Sequence, residues 1–490
     1  MTDLVITNVT AVTMDRQRRI IRNAWISVTG NRIEAIGEGP PQAGSARVVD
    51  GRGGVALPGF ISTHQHLIDA LVRGGLQQDR NLIDWLINVY YGGISVYRPE
   101  DCATAATLNV AEAIRSGVTT VCDGWGVNNG DDPVRVSECA EATLEVYRST
   151  GIRIIFARML QDVFPEYWKP LAGALLRKIP GLKLRPETLV EDTDGGLSRI
   201  ESLMSRYHKS ENDRIHVCPS PVLPQTVSPQ ALAGCLELAE RFDTMITIHN
   251  CESPTDARIF TESGWGMTCT DYLNCLGFLT ERLVAAHCVH LTDRDLRYFK
   301  VHGVKVAHCP SSNLNLASGI ARVPQMVLAG ITVGLGTDDT STNCNVSILT
   351  EMRLAALIQR GVSFDAGVVT AEKVLEMATI DGARALGLED EIGSLETGKK
   401  ADIILFDTDK PHWYPCHQLP AVLAYQAQAS DIHTVIIDGR IVMDGRELAF
   451  LGPDEEPAFY EKAQRTSEEV VERAGMQPLL ARGWQSESRV

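Results

Sequence analysis

The chain has 490 residues, 44% of them hydrophobic and 22% charged, with a net charge of −16. That length exceeds one ordinary compact domain and can bury a large core. The acidic balance excludes a nucleic-acid or anionic-membrane partner, and no run is apolar and long enough to span a bilayer. The segment MTDLVITNVTAVTMD lacks a basic stretch followed by an apolar core, so no leader is expected. The 12 cysteines form no C-x-x-C pair; Cys122, Cys218 and Cys288 lie in apolar strands and read as buried thiols of a cytoplasmic protein.

In chain order, the first 50 or so residues alternate short strands (LVITN, AVTMD, AWISVTG, RIEAIG, RVVDGRG) with turn residues. ADIILFDTD at 401–409 and HTVIIDGRIVMDGREL at 433–448 have the same character. Neither end can bury a core alone, so residues 1–56 and 389–450 are expected to form one small β-sandwich domain. Between them, near-continuously apolar strands alternate with amphipathic helices. The strands are 55–63, 118–124, 153–160, 215–220, 244–250, 283–289, 305–310 and 332–338. Eight such units predict an α/β fold, a (β/α)8 TIM-like barrel over 57–388, with chemistry at the C-terminal strand ends. A doubly wound open sheet is the alternative, but no G-x-G-x-x-G follows an early strand. Residues 451–490 read as a helical tail that could dock on the body or on a neighbouring subunit.

The strand ends carry a suggestive polar set. His64 and His66 in LPGFISTHQHL lie two apart, so on a strand their imidazoles share a face. Strand five ends in His249, strand six in His287 and strand eight in Asp338. Strand ends ring a single cavity in a barrel, so imidazoles and a carboxylate can converge on one ion and leave a position open for water. Taken singly, each is equally readable as a core histidine or a capping aspartate.

LPGFISTHQHL, IHNCES, AAHCVHLTD, AHCPSSNLNLASG and GLGTD together resemble the amidohydrolase superfamily in its cytosine-deaminase-like, mononuclear branch. RPEDCATAATLNVAEAIRSGVTT, EKVLEMATIDGARALG and EIGSLETGKKADIILFD are similar to the s-triazine hydrolases, which include melamine-deaminating and atrazine-dechlorinating members. The resemblance implies His64, His66, His249 and Asp338 as ligands of one divalent ion, zinc or iron, per subunit. It implies Glu252 as proton shuttle, His287 as the residue that polarises the attacked group or positions water, and Asp338 in acid-base work. Asp339 and Asp123 match the deaminase type, and Asp69 stands where relatives often carry Gln. With Trp85 and Asn313, these are the expected substrate contacts, the carboxylates accepting N–H bonds from an amino-rich planar ring. Thr342 departs from the Cys of the melamine-deaminating type. CPSPVLP lacks the His of nucleoside-type deaminases, which points away from an adenosine-like substrate. His290 and His308 are expected to be structural.

Two long excursions, 76–98 and 161–197, are expected to form a lid, with Trp85, Tyr90, Trp125, Phe164 and Trp168 available to stack on the ring. The expected activity is hydrolytic deamination of a small N-heterocycle (s-triazine, pyrimidine or purine type). Removal of halide, alkylamine or thioether from a similar ring is the alternative, and a non-catalytic scaffold is disfavoured because the ligand set is intact. The family also implies a homo-oligomer.

Overall fold

The computed structural model describes residues 2–41, 46–127, 130–179, 181–260, 266–481 and 483–484. The end of the expected helical tail, 485–490, lies outside the described residues. Eight parallel strands form the barrel: β1 (Phe60–His66), β2 (Val118–Trp125), β3 (Arg153–Leu160), β4 (Ile215–Pro221), β5 (Ile246–Asn250), β6 (Leu283–His287), β7 (Lys305–His308) and β8 (Val333–Leu335). They pair in two parallel arcs, β1 to β4 and β5 to β8. The arcs meet where His249 N–H donates to the Val222 carbonyl at 3.1 Å. On the other side Thr63 Oγ1 donates to the Leu335 carbonyl at 2.9 Å, and Asp338 and Asp339 pair in register with Gln65 and His66.

Burial on both faces explains why these strands carry so few polar residues before their C-terminal ends. Ile61, Cys122, Ile155, Ala157 and Cys218 fill the barrel beneath the site, closed from below by Ala383 on helix Ile380–Ala385 and by Leu386 and Ile392. Outer helices start at side-chain caps: Asp132 before Pro133–Thr150, Ser228 before Pro229–Arg241, and Thr292 before Asp293–His302. No described helix is long and apolar enough to cross a membrane.

Both chain ends meet in a nine-stranded sheet, as their alternation predicted, around an apolar cluster that includes Ile6, Ile26, Ile403 and Leu405. The expected strand 55–63 is corrected here. It divides at Gly59: Val55–Pro58 pairs with Ile403–Phe406 in the terminal sheet, and only Phe60–His66 enters the barrel. At Gly59 a Cβ would lie 2.0 Å from Thr119 Oγ1, so only glycine lets the chain pass between the two sheets there.

Helix Glu456–Ala474 docks on its own body, where Ser467 Oγ donates to the Leu71 carbonyl at 2.7 Å and Arg473 pairs with Asp101. Barrel and terminal sheet are joined by a buried ion cluster. Arg153, opening β3, donates to Asp402 through Nε (2.7 Å) and Nη2 (3.0 Å) and reaches Asp438 at 3.4 Å. Removing one partner of such a pair leaves a buried charge uncompensated. Asp402→Ala is therefore expected to lower unfolding free energy by about 3–5 kcal/mol in urea titrations; a loss below about 1 kcal/mol would contradict this account.

Candidate metal centre

The C-terminal ends of β1, β5, β6 and the turn after β8 bring together the side chains expected to meet. His64 Nε2 lies 3.3 Å and His66 Nε2 3.6 Å from Asp338 Oδ1, while His287 Nε2 lies 3.9 Å from Asp338 Oδ2. Candidate ligand atoms of His64, His66 and Asp338, and those of His64, His249 and His287, each lie within 4.8 Å of one another. Glu252 also faces this point, with Oε2 3.6 Å from His287 Nε2 and Oε1 3.5 Å from the Ser318 hydroxyl.

The donor set fits a cation. His66 Nδ1 meets the Gly124 carbonyl, and His249 Nδ1 meets the Val222 carbonyl at 2.8 Å. A carbonyl only accepts, so each Nδ1 carries the hydrogen, and in the neutral ring each Nε2 then presents a lone pair. Those two Nε2 atoms nevertheless lie 3.3 Å apart. Two acceptors cannot bond each other, but nitrogens held at about 2.0–2.1 Å by one tetrahedral ion sit about 3.3 Å apart. Both ring nitrogens of His64 and Oδ1 of Asp338 are buried without a hydrogen-bond partner. Buried orphan acceptors aimed at one point are costly unless a cation resolves them.

The electrostatics divide the acids. Burial opposes ionisation of Asp338, but His287, His64 and His66 outweigh it and hold its carboxyl well below the usual range. Asp339 is pushed well above that range by burial, with Asp338 and Asp69 adding to it. Burial pushes Glu252 up to about 8, opposed by His287 and reinforced by Asp338. Burial pushes His64 down to about 4, leaving it a neutral donor. His287 is raised: burial works against its charge, but Glu252 and Asp338 prevail. The backbone is strained at the same place, with φ of +57° at Asp338 and +67° at His287, each costing about 1–3 kcal/mol outside glycine.

A small cavity opens over the centre. Its floor is His66, His249, Glu252, His287, Asp338 and Asp339. Its walls are Leu82, Trp85, Leu86, Tyr90 and Tyr91 from the first excursion, Met159 at the end of β3, and Val222 and Leu223 after β4. Trp85 is held by an Nε1–H bond to Ser341 Oγ at 3.2 Å, and Tyr90 packs 5.8 Å from the His66 ring. The apolar wall goes beyond the expected Trp85 and Tyr90, and the apolar run LIDWLINVYY at 82–91 was the available signal.

Three expected substrate contacts lie elsewhere. Asp69 accepts from Thr340 Oγ1 (2.7 Å), Ser341 N–H (2.6 Å) and Asn109 Nδ2 (3.2 Å). Asp123 accepts from Leu67 N–H (2.8 Å) and the Tyr147 hydroxyl (2.6 Å), and burial pushes it up to about 6. Asn313 offers Oδ1 to His287 Nδ1 at 3.0 Å. None of the three lines the cavity among the described residues; their polar atoms hold loops and an imidazole in place. Trp125 and Trp168 are likewise buried away from it, and Phe164 packs on Trp168. None of the described residues of the second excursion lines the cavity; Gln161 accepts the Tyr91 hydroxyl at 2.9 Å.

Residues 55–442 match the amidohydrolase family. The chain is 40% identical to an S-triazine hydrolase of Gordonia rubripertincta over 341 residues, 69% of this chain and 70% of that one. It is 36% identical to a 5-methylthioadenosine/S-adenosylhomocysteine deaminase of Thermoanaerobacter pseudethanolicus over 96% of this chain and 100% of the other. Among solved structures it resembles atrazine chlorohydrolase TrzN from Arthrobacter aurescens TC1 complexed with zinc (TM-score 0.84, 25% identity, 95% and 100% of the chains covered). It also resembles an adenosine deaminase from Xanthomonas campestris with bound zinc (TM-score 0.82, 26% identity, 96% and 98% covered).

A cation that resolves the orphan acceptors must stabilise the fold. Zn(II) added to metal-stripped protein at about 100 times its Kd is expected to raise unfolding free energy by about 2.7 kcal/mol. Asp338→Ala is expected to abolish that gain in thermal-melt titrations, and a parent indifferent to both chelator and Zn(II) would contradict the fit.

Proposed function

The chain belongs to the amidohydrolase family, and on that premise we propose that it is a metal-dependent hydrolytic deaminase. Its substrate is an amino-substituted N-heterocycle of s-triazine, pyrimidine or purine type. One divalent ion, zinc or iron, is held by His64, His66, His249 and Asp338. The observation that carries the reading is Glu252: a buried carboxyl on the cavity floor, pushed up to about 8 and 3.6 Å from His287. A carboxyl in that range keeps a proton to give at neutral pH, which general acid catalysis requires.

A bound divalent ion would lower the pKa of water from about 16 to about 7. The chain's own residues do the rest. Trp85 and Tyr90 on one side and Met159, Val222 and Leu223 on the other offer apolar faces to a flat ring. Asp339 Oδ1, buried without a partner, is placed to bond an N–H of an amino substituent. Glu252, protonated at the start, gives its proton to a ring nitrogen and takes one from the attacking water, which it passes to the departing amino group. Ammonia leaves, the new C–OH returns a proton to Glu252, and one C–N bond is exchanged for C–O with one water consumed. His287, fixed through Nδ1 by Asn313, balances charge between Glu252 and Asp338. Chloride needs no proton to depart, so a high-pKa acid favours deamination over dehalogenation.

Val222 and Leu223 put apolar surface beside β4, where a ribose would lose hydrogen bonds to water without replacement. This favours a compact ring over a nucleoside. The same walls suit alkyl substituents, which supports removal of alkylamine or thioether groups as the second reading.

Two outcomes test the proposal. Assayed against triazines, pyrimidines and purines, the metal-loaded enzyme should release ammonia, and Glu252→Gln should retain metal while kcat falls by about 10²–10⁴. Chloride release without ammonia would overturn the deaminase reading. Asp339→Asn should slow deamination by about tenfold or more, corresponding to about 1.4 kcal/mol of hydrogen bonding to the amino substituent; an undiminished rate would remove Asp339 from substrate recognition.

A further inference from the structure

Asp338 sits at positive φ in a turn with little regular structure of its own, so neighbouring contacts must hold it. On one flank Asp69 ties down Thr340 and Ser341. The other flank leads to a buried carboxylate that the proposed chemistry does not use. Glu351 lies in the first turn of helix Ile348–Ser363, fully buried, and accepts three hydrogen bonds. Ser311 donates its hydroxyl to Oε1 at 2.6 Å and its N–H to Oε2 at 3.1 Å; Asn343 Nδ2 donates to Oε1 at 2.8 Å.

Each of these bonds ends next to the centre. Ser311 lies two residues before Asn313, whose Oδ1 fixes His287. The Asn343 amide gives its second N–H to the Thr337 carbonyl at 2.6 Å, and Thr337 directly precedes Asp338. One carboxylate thus joins the loop after β7, which orients His287, to the turn after β8, which carries Asp338. We propose that Glu351 is a positioning residue of the metal centre, clamping these two loops so that Asp338 and His287 stay aimed at the ion. The proposal rests on the metal-holding reading given above. All three partners are donors, so the clamp needs bare oxygens on both sides of the carboxylate. Burial pushes Glu351 up to about 7, opposed by the bonds from Ser311 and Asn343 and by the positive end of its own helix.

Glu351→Gln keeps the shape but turns an NH2 group toward donors. Metal-stripped parent, Glu351→Gln, Ser311→Ala and the double variant are titrated with Zn(II) against a chromophoric chelator. Folding is checked by circular dichroism, and Co(II) absorption reports the ligand geometry. Zn(II) binding is expected to weaken about 10–100-fold in Glu351→Gln, with a changed Co(II) band, and less in Ser311→Ala. The double variant should match Glu351→Gln within about twofold, because Ser311 acts through the same carboxylate. A folded Glu351→Gln that binds Zn(II) like the parent overturns the proposal, as do losses that multiply in the double variant. Should Glu351→Gln fail to fold, unchanged Zn(II) affinity in Ser311→Ala overturns it alone. A parent that binds no Zn(II) overturns the clamp together with the metal centre, whereas a parent that binds Zn(II) but releases no ammonia overturns only the deaminase reading.

Discussion

Lone pairs that cannot satisfy one another are the constraint around which this molecule is built. His66 and His249 are each locked by a backbone carbonyl at Nδ1, so in their neutral form both Nε2 atoms present acceptors 3.3 Å apart. His64 and Asp338 add further buried acceptors beside them. Neutral protein groups offer no remedy at that point; a cation does. The backbone has been shaped to hold the arrangement. At Gly124 any Cβ would lie 2.7 Å from the His66 ring, so glycine is what lets the imidazole lie against β2 and reach the carbonyl that fixes it.

The same crowding sorts the carboxyls by protonation. Asp338, next to three imidazoles, is held ionised, while Asp339 and Glu252 are pushed upward by burial and by the charge already on Asp338. Neighbouring acids driven apart in this way take different roles, one as fixed negative charge and another as proton carrier. His287 lies between the two kinds, 3.6 Å from Glu252 and 3.9 Å from Asp338, and its raised affinity for a proton follows from that position.

Much of this was legible in the residues. The spacing of His64 and His66, the apolar strand rhythm and the polar strand ends sufficed for the barrel and for the set that meets at its mouth. The direction of a carboxylate was not legible. Asp69, Asp123 and Asn313 have the composition of substrate contacts, yet each turns its oxygens to donors inside the protein. Pattern shows that a polar residue is present at a strand end; whether it faces a cavity depends on donors arriving from elements far along the chain, such as Tyr147 for Asp123. The strand break at Gly59 was hidden for a related reason. Residues 55–63 are buried throughout, by one sheet and then the other, and periodicity carries no mark of a change of partner.

Floor and wall of the cavity come from different kinds of element. The cavity floor comes from barrel strands and their immediate ends, held by ladders on both sides and by the Asp69 contacts. Most of the wall comes from 82–91, a helix that passes into a π-helical turn at Leu86–Tyr91 and belongs to no sheet. A change in that segment alters which ring and which substituents fit without moving a ligand atom, since its one polar tie to the floor is Trp85 on Ser341 among the described wall contacts. An S-triazine hydrolase and a 5-methylthioadenosine/S-adenosylhomocysteine deaminase both align with this chain. What they have in common with it is best sought in the floor, and the substrate of this chain is written in its wall.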